Sequence, residues 1–223
     1  MTARVVAVTG TGTDVGKTHF GEALLRALVL KGARAVGLKP IETGVSPFHE
    51  SDASRLATAS TLHVKRALFQ FPAPVSPHLA AREAATPIDP TAVIAFVDTF
   101  RASADVVVVE LAGGLFTPLA DDYSNADLLR ELSPNTTVLV APDRLGVLHD
   151  VTAAFRAAAT VPAAIHLAVL LSPANTDAST GRNAAELFRI LRLPTHSLPR
   201  GPTADLAVHS EMADVLARIA HGP

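Results

Sequence analysis

The 223-residue sequence contains no cysteine and no tryptophan, and it has a single tyrosine. Without cysteine, disulfide bonds, thiol nucleophiles and cysteine-ligated metals are all excluded. Aromatic residues make up only 4% of the chain, so a stacking platform for single-stranded nucleic acid is not indicated. The net charge of −2 and the lack of a basic tract argue against duplex DNA as a partner. We therefore expect no nucleic acid partner.

Long apolar runs are also lacking. None approaches the roughly 18 residues that a membrane-spanning helix requires, so we expect no membrane partner. The segment "MTARVVAV" (1–8) runs directly into a strand-like segment that a cleaved signal peptide would remove, which predicts a cytoplasmic protein. Hydrophobic residues make up 48% of the chain and charged residues 18%. This composition is typical of one packed globular domain, which we expect over residues 1–223.

Apolar runs and amphipathic segments alternate along the chain. Strands are predicted at 4–9, 34–39, 105–111, 136–141, 166–171 and 195–199. Helices are predicted at 17–31, 51–59, 90–103, 124–132, 147–159, 179–192 and 203–219. Unbroken valine and leucine runs indicate strands covered on both faces, as in a parallel sheet. The sequence therefore predicts a doubly wound, mostly parallel α/β sheet with helices on both faces, interrupted by a proline-rich surface excursion at 72–90.

The stretch "GTGTDVGKT" (10–18) lies between the first predicted strand and the first predicted helix. The common phosphate-binding loop has four residues between its first glycine and the Gly-Lys pair, whereas five follow Gly10 and three follow Gly12. The alternative is a glycine turn that only joins a strand to a helix. A Gly-Lys-Thr sequence at a helix start favours a phosphate site, in which an exposed Lys17 would reach the β- and γ-phosphates and Thr18 would bind Mg²⁺.

Other charged residues end or follow predicted strands, at the edge where ligands bind in open α/β sheets. Glu110 closes "DVVVVE" (105–110) and precedes a Gly-Gly pair, and Lys39 closes "RAVGLK" (34–39). The alternative to a ligand-binding role is that both residues are solvent-exposed charges at strand ends. Asp52 opens a predicted helix and has a second interpretation as its N-cap. Together with Lys17, these residues predict a nucleotide site with metal-binding carboxylates.

Several segments in this order resemble the dethiobiotin synthetase family over almost the whole chain. The loop shares the family's lengthened G-x5-G-K-T spacing, and "LKPIETG" (38–44) resembles its lysine-proline segment. The stretch "VVVELAGGLFTPLADDYSNADL" (107–128) is the longest similarity. Shorter ones are "SDA" (51–53), "PVSPHLAA" (74–81) and "RLGVLHD" (144–150).

The resemblance implies a cyclo-ligase that makes dethiobiotin from 7,8-diaminononanoate, CO₂ and ATP, with Mg²⁺. It implies a homodimer with the active site at its interface. Lys17 and Lys39 would act on the transferring phosphoryl group, and Thr18, Asp52 and Glu110 would bind the metal. The implied nucleotide-binding residues are Gly12, Thr13, Asp14, Val15, Gly16, Lys17, Thr18, Asp52, Glu110, Leu111, Ala112, Gly113, Ser172 and Pro199. The implied substrate-binding residues are Lys39, Thr43, Leu145, Gly146 and His149.

The chain departs from the family at several of these positions. Gly12 replaces an acidic residue, and Asp14 replaces a glutamate. Leu111 stands where the family has glycine, so its side chain either narrows the phosphate site or points into the core. Ser172 replaces an asparagine that holds adenine, which leaves the preferred base open. His149 replaces an asparagine that reaches the substrate carboxylate across the dimer, and a histidine still donates hydrogen bonds.

Two other functions are compatible with a phosphate loop. One is a partitioning-type switch ATPase, but those proteins carry an additional lysine early in the loop, where this chain has "TGT" (11–13). The other is a degenerate nucleotide-binding regulatory module that has lost its chemistry. Retention of Lys17, Thr18, Lys39, Asp52 and Glu110 argues against this module, whereas Leu111 and Ser172 keep it open as an alternative.

Overall fold

The computed structural model describes residues 2–161 and 164–221. The strands are β1 (Arg4–Gly10), β2 (Ala35–Leu38), β3 (Ile41–Thr43), β4 (Phe69–Phe71), β5 (Val106–Glu110), β6 (Pro118–Ala120), β7 (Tyr123–Ser124), β8 (Thr136–Pro142), β9 (Leu167–Leu171) and β10 (Thr195–Leu198). The helices are α1 (Lys17–Leu30), α2 (Asp52–Thr58), α3 (Pro77–Glu83), α4 (Pro90–Asp98), α5 (Asn125–Leu132), α6 (Val147–Ala158), α7 (Asn183–Leu191), α8 (Thr203–Ala207) and α9 (Ser210–His221).

The main sheet has six strands in the order β10-β9-β8-β1-β5-β2, and every neighbouring pair in it is parallel. The predicted doubly wound parallel fold is confirmed. β1 lies between β5 and β8, so the strand order reverses at the loop that follows β1. Ligands of open α/β sheets bind at such a reversal, beyond the carboxyl ends of the strands.

Alternate residues of the central strands supply two separate hydrophobic layers. In β5, Val107 and Val109 pack into one layer, whereas Val106 and Val108 pack into the other. β1 follows the same alternation on its two faces. Because both faces are covered by helices, each position is apolar, which explains why the strand sequences are continuous valine runs.

Several element boundaries differ from prediction. α7 starts at Asn183 rather than near 179, because Gly181 has a φ of 82° that a helix does not accommodate. α4 ends at Asp98, and the helix predicted at 203–219 is divided into α8 and α9. Phe100 follows α4 and Val208 follows α8 in turns, and these apolar side chains extend the helical pattern beyond the observed helix ends.

The segment 72–90 is not simply a surface excursion. It contains α3, which begins with Pro77 in the first helical turn and buries Ala80 and Ala81. Proline suits that position because its missing N–H would have no helical partner there. Among the described residues, no helix has both the length and the apolar character needed to traverse a bilayer.

Candidate active site

The loop after β1 is tightly packed. Gly16 has a φ of 95° and a Cβ there would collide with Leu171, and Asp14 also has a positive φ, of 56°. Gly114 approaches the loop from the end of β5, where an added Cβ would lie 3.2 Å from the carbonyl oxygen of Gly10. Gly16 and Gly114 have no room for a side chain, because the backbone there meets a core side chain or the backbone of the loop.

Lys17 lies at the first residue of α1, and its Nζ donates a 2.7 Å hydrogen bond to the carbonyl oxygen of Gly12. The prediction that this side chain is exposed is wrong, since Lys17 is only 6% exposed. Burial lowers the pKa of Lys17, and the nearby positive charge of Lys39 acts in the same direction while Glu110 opposes it. The loop therefore holds a lysine for which burial outweighs the nearby carboxylates.

Lys39 and Glu110 follow paired residues of neighbouring strands, because Leu38 of β2 is in register with Val109 of β5. Lys39 Nζ lies 2.7 Å from Oε1 of Glu110 and also pairs with Asp52. Burial disfavours the charge on Lys39, but the carboxylates of Glu110 and Asp52 outweigh burial and raise the pKa of Lys39. Lys39 is thus a fixed cation rather than a proton donor.

The carboxylate of Asp52 is directed to the site and does not cap its helix. Ser51 is the N-cap of α2, with its hydroxyl accepting a 3.2 Å hydrogen bond from the Ser54 amide. Burial opposes the charge of Asp52, yet Lys39 outweighs it and lowers the pKa of Asp52. This leaves a carboxylate that is ionised at neutral pH beside the loop.

Glu42 positions this carboxylate and was missed from the sequence. Its Oε1 accepts a 2.6 Å hydrogen bond from the backbone amide of Asp52, and its own side chain is buried. Burial raises the pKa of Glu42. The signal was present in "LKPIETG", where an acidic residue follows an isoleucine that the core requires.

Hydrogen bonds connect the three predicted metal ligands, through Thr18 to Glu110 and through Lys39 to both carboxylates. Oε1 of Glu110 accepts hydrogen bonds from Thr18 Oγ1 at 2.9 Å and from Lys39. Its other oxygen, Oε2, is buried and has no hydrogen-bond partner among the described residues. Hydroxyl and carboxylate oxygens are the donors that Mg²⁺ prefers, and an unpaired buried carboxylate oxygen is costly unless a ligand meets it. The residues of the site fit a magnesium ion.

A cleft of about 790 Å³ opens above these residues. The predicted residues that line it are Thr13, Asp14, Gly16, Lys17, Thr18, Lys39, Thr43, Asp52, Glu110, Ala112 and Gly113. Leu111 does not line the cleft, because its side chain is only 2% exposed and belongs to the hydrophobic core. Of the two alternatives for this side chain, the structure shows the one in the core, and a nucleotide contact through the Leu111 backbone stays a prediction. Gly12 takes part through its carbonyl oxygen, which holds Lys17.

A second cleft, of about 650 Å³, adjoins the first along the phosphate loop. Val15, Ser172 and Pro199 line it, and Asp14, Gly16 and His19 line both clefts. Its walls are mostly proline, small residues and backbone at the ends of β9 and β10. A nucleotide with its phosphates at Lys17 has room for its base here.

Comparison with known proteins identifies the family. Residues 4–203 match a family described as an AAA domain. The chain is 37% identical to the ATP-dependent dethiobiotin synthetase of Ralstonia nicotianae over 95% of this chain and 96% of that protein. The chain belongs to the dethiobiotin synthetase family. The resemblance predicted from the motifs is confirmed.

Other relatives agree with this assignment. A dethiobiotin synthetase of Aromatoleum aromaticum is 39% identical over 62% of this chain, and the alignment spans 64% of that protein. Among solved structures, the cell division ATPase MinD of Pyrococcus furiosus has a TM-score of 0.61 at 16% identity, covering 97% of this chain and 99% of that one. At that identity the similarity shows the shared fold only, so it does not support a switch ATPase.

Within this family member, the Gly-Gly loop after β5 is held by a residue that sequence reasoning missed. The buried Asn125 side chain donates hydrogen bonds to the carbonyl oxygens of Ala112 at 2.7 Å and Gly114 at 2.8 Å. Thr117 Oγ1 accepts a 2.8 Å hydrogen bond from the Gly114 amide. These contacts fix the backbone beside the phosphate loop, and the signal for Asn125 was its place in the "SNADL" stretch of the similarity.

Leu145, Gly146 and His149 are exposed and line neither cleft. Gly146, with a φ of 97°, is the N-cap of α6, and the Leu145 amide donates a 2.8 Å hydrogen bond to Asp177. They share the sheet edge with the phosphate loop because α6 follows β8. A single chain does not bring them to Lys39 and Thr43, and their substrate role stays a prediction.

Proposed function

We propose that the two clefts carry out the reaction of an ATP-dependent dethiobiotin synthetase, a cyclo-ligase. One amine of 7,8-diaminononanoate adds CO₂ and loses a proton to become a carbamate. A carbamate oxygen attacks the γ-phosphorus of ATP, which gives a carbamic-phosphoric anhydride and ADP. The second amine then attacks the carbonyl carbon and expels phosphate, which takes up the proton that the amine loses as the cyclic urea of dethiobiotin closes.

The chain contributes charge and position rather than a base. The carbamate is already anionic, so its attack needs no proton removal. Lys17 and Lys39 lie at the same cleft and offset the charge that develops on the transferring phosphoryl group, an effect worth roughly 3–4 kcal/mol for a single donor. Because Lys39 is fixed by Glu110 and Asp52, its charge needs no reorganisation during the reaction.

Thr18, Asp52 and Glu110 are the residues that would hold Mg²⁺. When bound, the ion neutralises phosphate charge and orients the triphosphate. The protein's own part is to keep these oxygens at one edge: Thr18 through the start of α1, Glu110 through the end of β5, and Asp52 through Glu42 and the cap of α2.

The base would occupy the second cleft and the diamine the side of the first cleft that Thr43 lines. The diamine's reacting end would then meet Lys39, and its long chain would extend out of the cleft. We propose that the working protein is a homodimer in which Leu145, Gly146 and His149 of one subunit meet the carboxylate end of the substrate in the other.

The observation that carries the proposal is the cluster in which Lys39 joins Asp52 and Glu110 beside Thr18. A degenerate regulatory module would not need two buried or half-buried carboxylates around a buried lysine at the phosphate loop. The test supplies the purified protein with the diamine, bicarbonate and Mg-ATP, and detects dethiobiotin by mass. Formation of dethiobiotin in step with ADP supports the ligase. ADP without dethiobiotin contradicts it and favours a switch ATPase, and nucleotide binding without turnover favours the regulatory module.

A further inference from the structure

Arg55 lines the phosphate cleft but none of the motifs predicts a role for it. It lies on α2, three positions after Asp52, so the two side chains share one face of that helix. Its Nη1 lies 3.9 Å from Oδ1 of Asp52. The guanidinium thus adds a third cation to a cleft that already holds Lys17 and Lys39.

A carboxylate on α1 orients this guanidinium. Arg55 Nη2 donates a 2.5 Å hydrogen bond to Oε2 of Glu22, whose side chain is 11% exposed. Glu22 is four positions after Thr18, so both lie on the face of α1 that meets α2. An arginine held by a nearly buried carboxylate loses little freedom when it binds a ligand.

The remaining donors of Arg55 are available to an anion. A guanidinium carries five N–H groups, and its planar fork matches the oxygens of a phosphoryl or carboxylate group. The Arg55 side chain is 35% exposed, and Arg55 lines the cleft. A charge-assisted hydrogen bond in a partly water-excluded cleft is stronger than one between neutral groups.

We propose that Arg55 binds the transferring phosphoryl group as a catalytic residue and that Glu22 orients it. The proposal rests on the proposed function for the identity of the transferred group. Arg55 supplies hydrogen bonds to phosphoryl oxygens whose charge increases as the carbamate oxygen attacks. Its contribution is therefore greater in the transition state than with ADP bound.

The test compares Arg55→Ala, Arg55→Lys and Glu22→Gln with wild type and with Arg26→Ala. Arg26 is a matched control because it lies one turn after Glu22 on α1 and bonds to Thr203, away from the cleft. We expect Arg55→Ala to lower kcat on the order of 100-fold, as for loss of one transition-state donor. We expect a partial loss for Arg55→Lys and Glu22→Gln, and wild-type turnover for Arg26→Ala.

Two further measurements separate this role from support of Asp52. The Kd of Mg-ADP should stay within about twofold of wild type in Arg55→Ala, and excess Mg²⁺ should not restore its turnover. Unchanged kcat, or recovery at high Mg²⁺, would overturn the proposal. If the wild-type protein makes no dethiobiotin, the proposed function fails at that step. Arg55 is then tested by the affinity for Mg-ADP with aluminium fluoride, which Arg55→Ala should weaken and Arg26→Ala should not; equal affinity in both variants would overturn it.

Discussion

Thr18 and Glu110 lie 92 positions apart in the sequence, and the Thr18 hydroxyl donates a 2.9 Å hydrogen bond to Oε1 of Glu110. The bond joins the start of α1 to the end of β5, and it holds the two side-chain oxygens beside each other. Together with Asp52, the pair forms the oxygen set to which we assign the metal.

Removing the charge of either carboxylate should weaken metal binding. In Asp52→Asn and in Glu110→Gln, we expect the Mg²⁺ concentration for half-maximal turnover to increase by about tenfold or more, because a neutral amide oxygen is a poorer ligand for a hard cation. The measurement is a Mg²⁺ titration of turnover. Asp105→Asn is the control, since Asp105 is exposed and pairs with Arg34 before β5 begins. Unchanged titrations in both site variants would remove these residues from the metal site.

Lys17→Ala should abolish turnover without loss of stability. The lysine would no longer reach the phosphates, while the fold is relieved of a cation whose pKa is lowered mainly by burial. We expect a loss of about 100-fold or more in kcat and a Tm equal to or above that of wild type. Lys31→Ala, at an exposed position after α1, should match wild type in both assays. Substantial residual turnover in Lys17→Ala would contradict the phosphate-loop assignment.

The nucleotide base should be selected weakly. Ser172 lines the second cleft at the position where the family has asparagine, and a hydroxyl lacks the paired donor and acceptor of a carboxamide. In competition assays we expect CTP and GTP to replace ATP more readily than in a Ser172→Asn variant, which should regain preference for ATP. Strict ATP selectivity in the wild-type protein would mean that groups other than Ser172, such as backbone amides, recognise the base.

His149 should affect substrate binding rather than chemistry. It lies in the first turn of α6, where an N-terminal helix dipole favours a carboxylate. Because this role requires a homodimer, light scattering should give a mass near twice the 23.2 kDa of one chain. His149→Ala should raise KM for the diamine more than it lowers kcat, and His149→Asn should restore KM. A monomer that is fully active at nanomolar concentration would exclude the interface role.

Stability should fall at acidic pH through His166. Its Nδ1 accepts a 2.8 Å hydrogen bond from the Thr137 amide, and burial lowers the pKa of His166 below its ordinary value. The folded state thus favours neutral His166, so its contribution is present above a pH of about 6.5 and is lost as pH falls further. Urea unfolding is measured above and below that pH. The free energy of unfolding should decrease less in His166→Asn than in wild type, because the amide oxygen accepts the same hydrogen bond from Thr137 without titrating. Equal decreases in both proteins would contradict this assignment.

Most of the main sheet could be predicted because its strands other than β10 are buried on both faces and consist largely of valine, leucine and alanine. β3, β4, β6 and β7 could not, since each has only two or three residues; β3 also pairs with the distant β4, and β6 and β7 form a short irregular hairpin. α3 was hidden by prolines, although Pro77 at its first turn is compatible with a helix. Short elements carry too little periodicity to identify.

For the site, residues that end long strands or follow glycines were predictable by position. Lys39 and Glu110 lie at the ends of parallel strands, and Thr18 lies at the start of the helix that follows the glycine loop. These positions alone predict that the three residues lie at one edge of the sheet. Glu42 and Asn125 were not predictable in the same way, because each acts on the backbone of another segment. The ion pair of Arg55 with Glu22 requires two helix faces to meet, which no local pattern encodes.

The alternation of valines between two layers has a consequence for mutational tolerance. The sheet separates two hydrophobic layers. A substitution at Val107 therefore changes the packing of one layer, and a substitution at Val108 changes the packing of the other. Meanwhile the distance between Lys39 and Glu110 is set by backbone pairing of Leu38 with Val109, not by the side chains beneath. Either layer can therefore change its packing over evolutionary time while the spacing of the charged groups at the sheet edge is inherited unchanged.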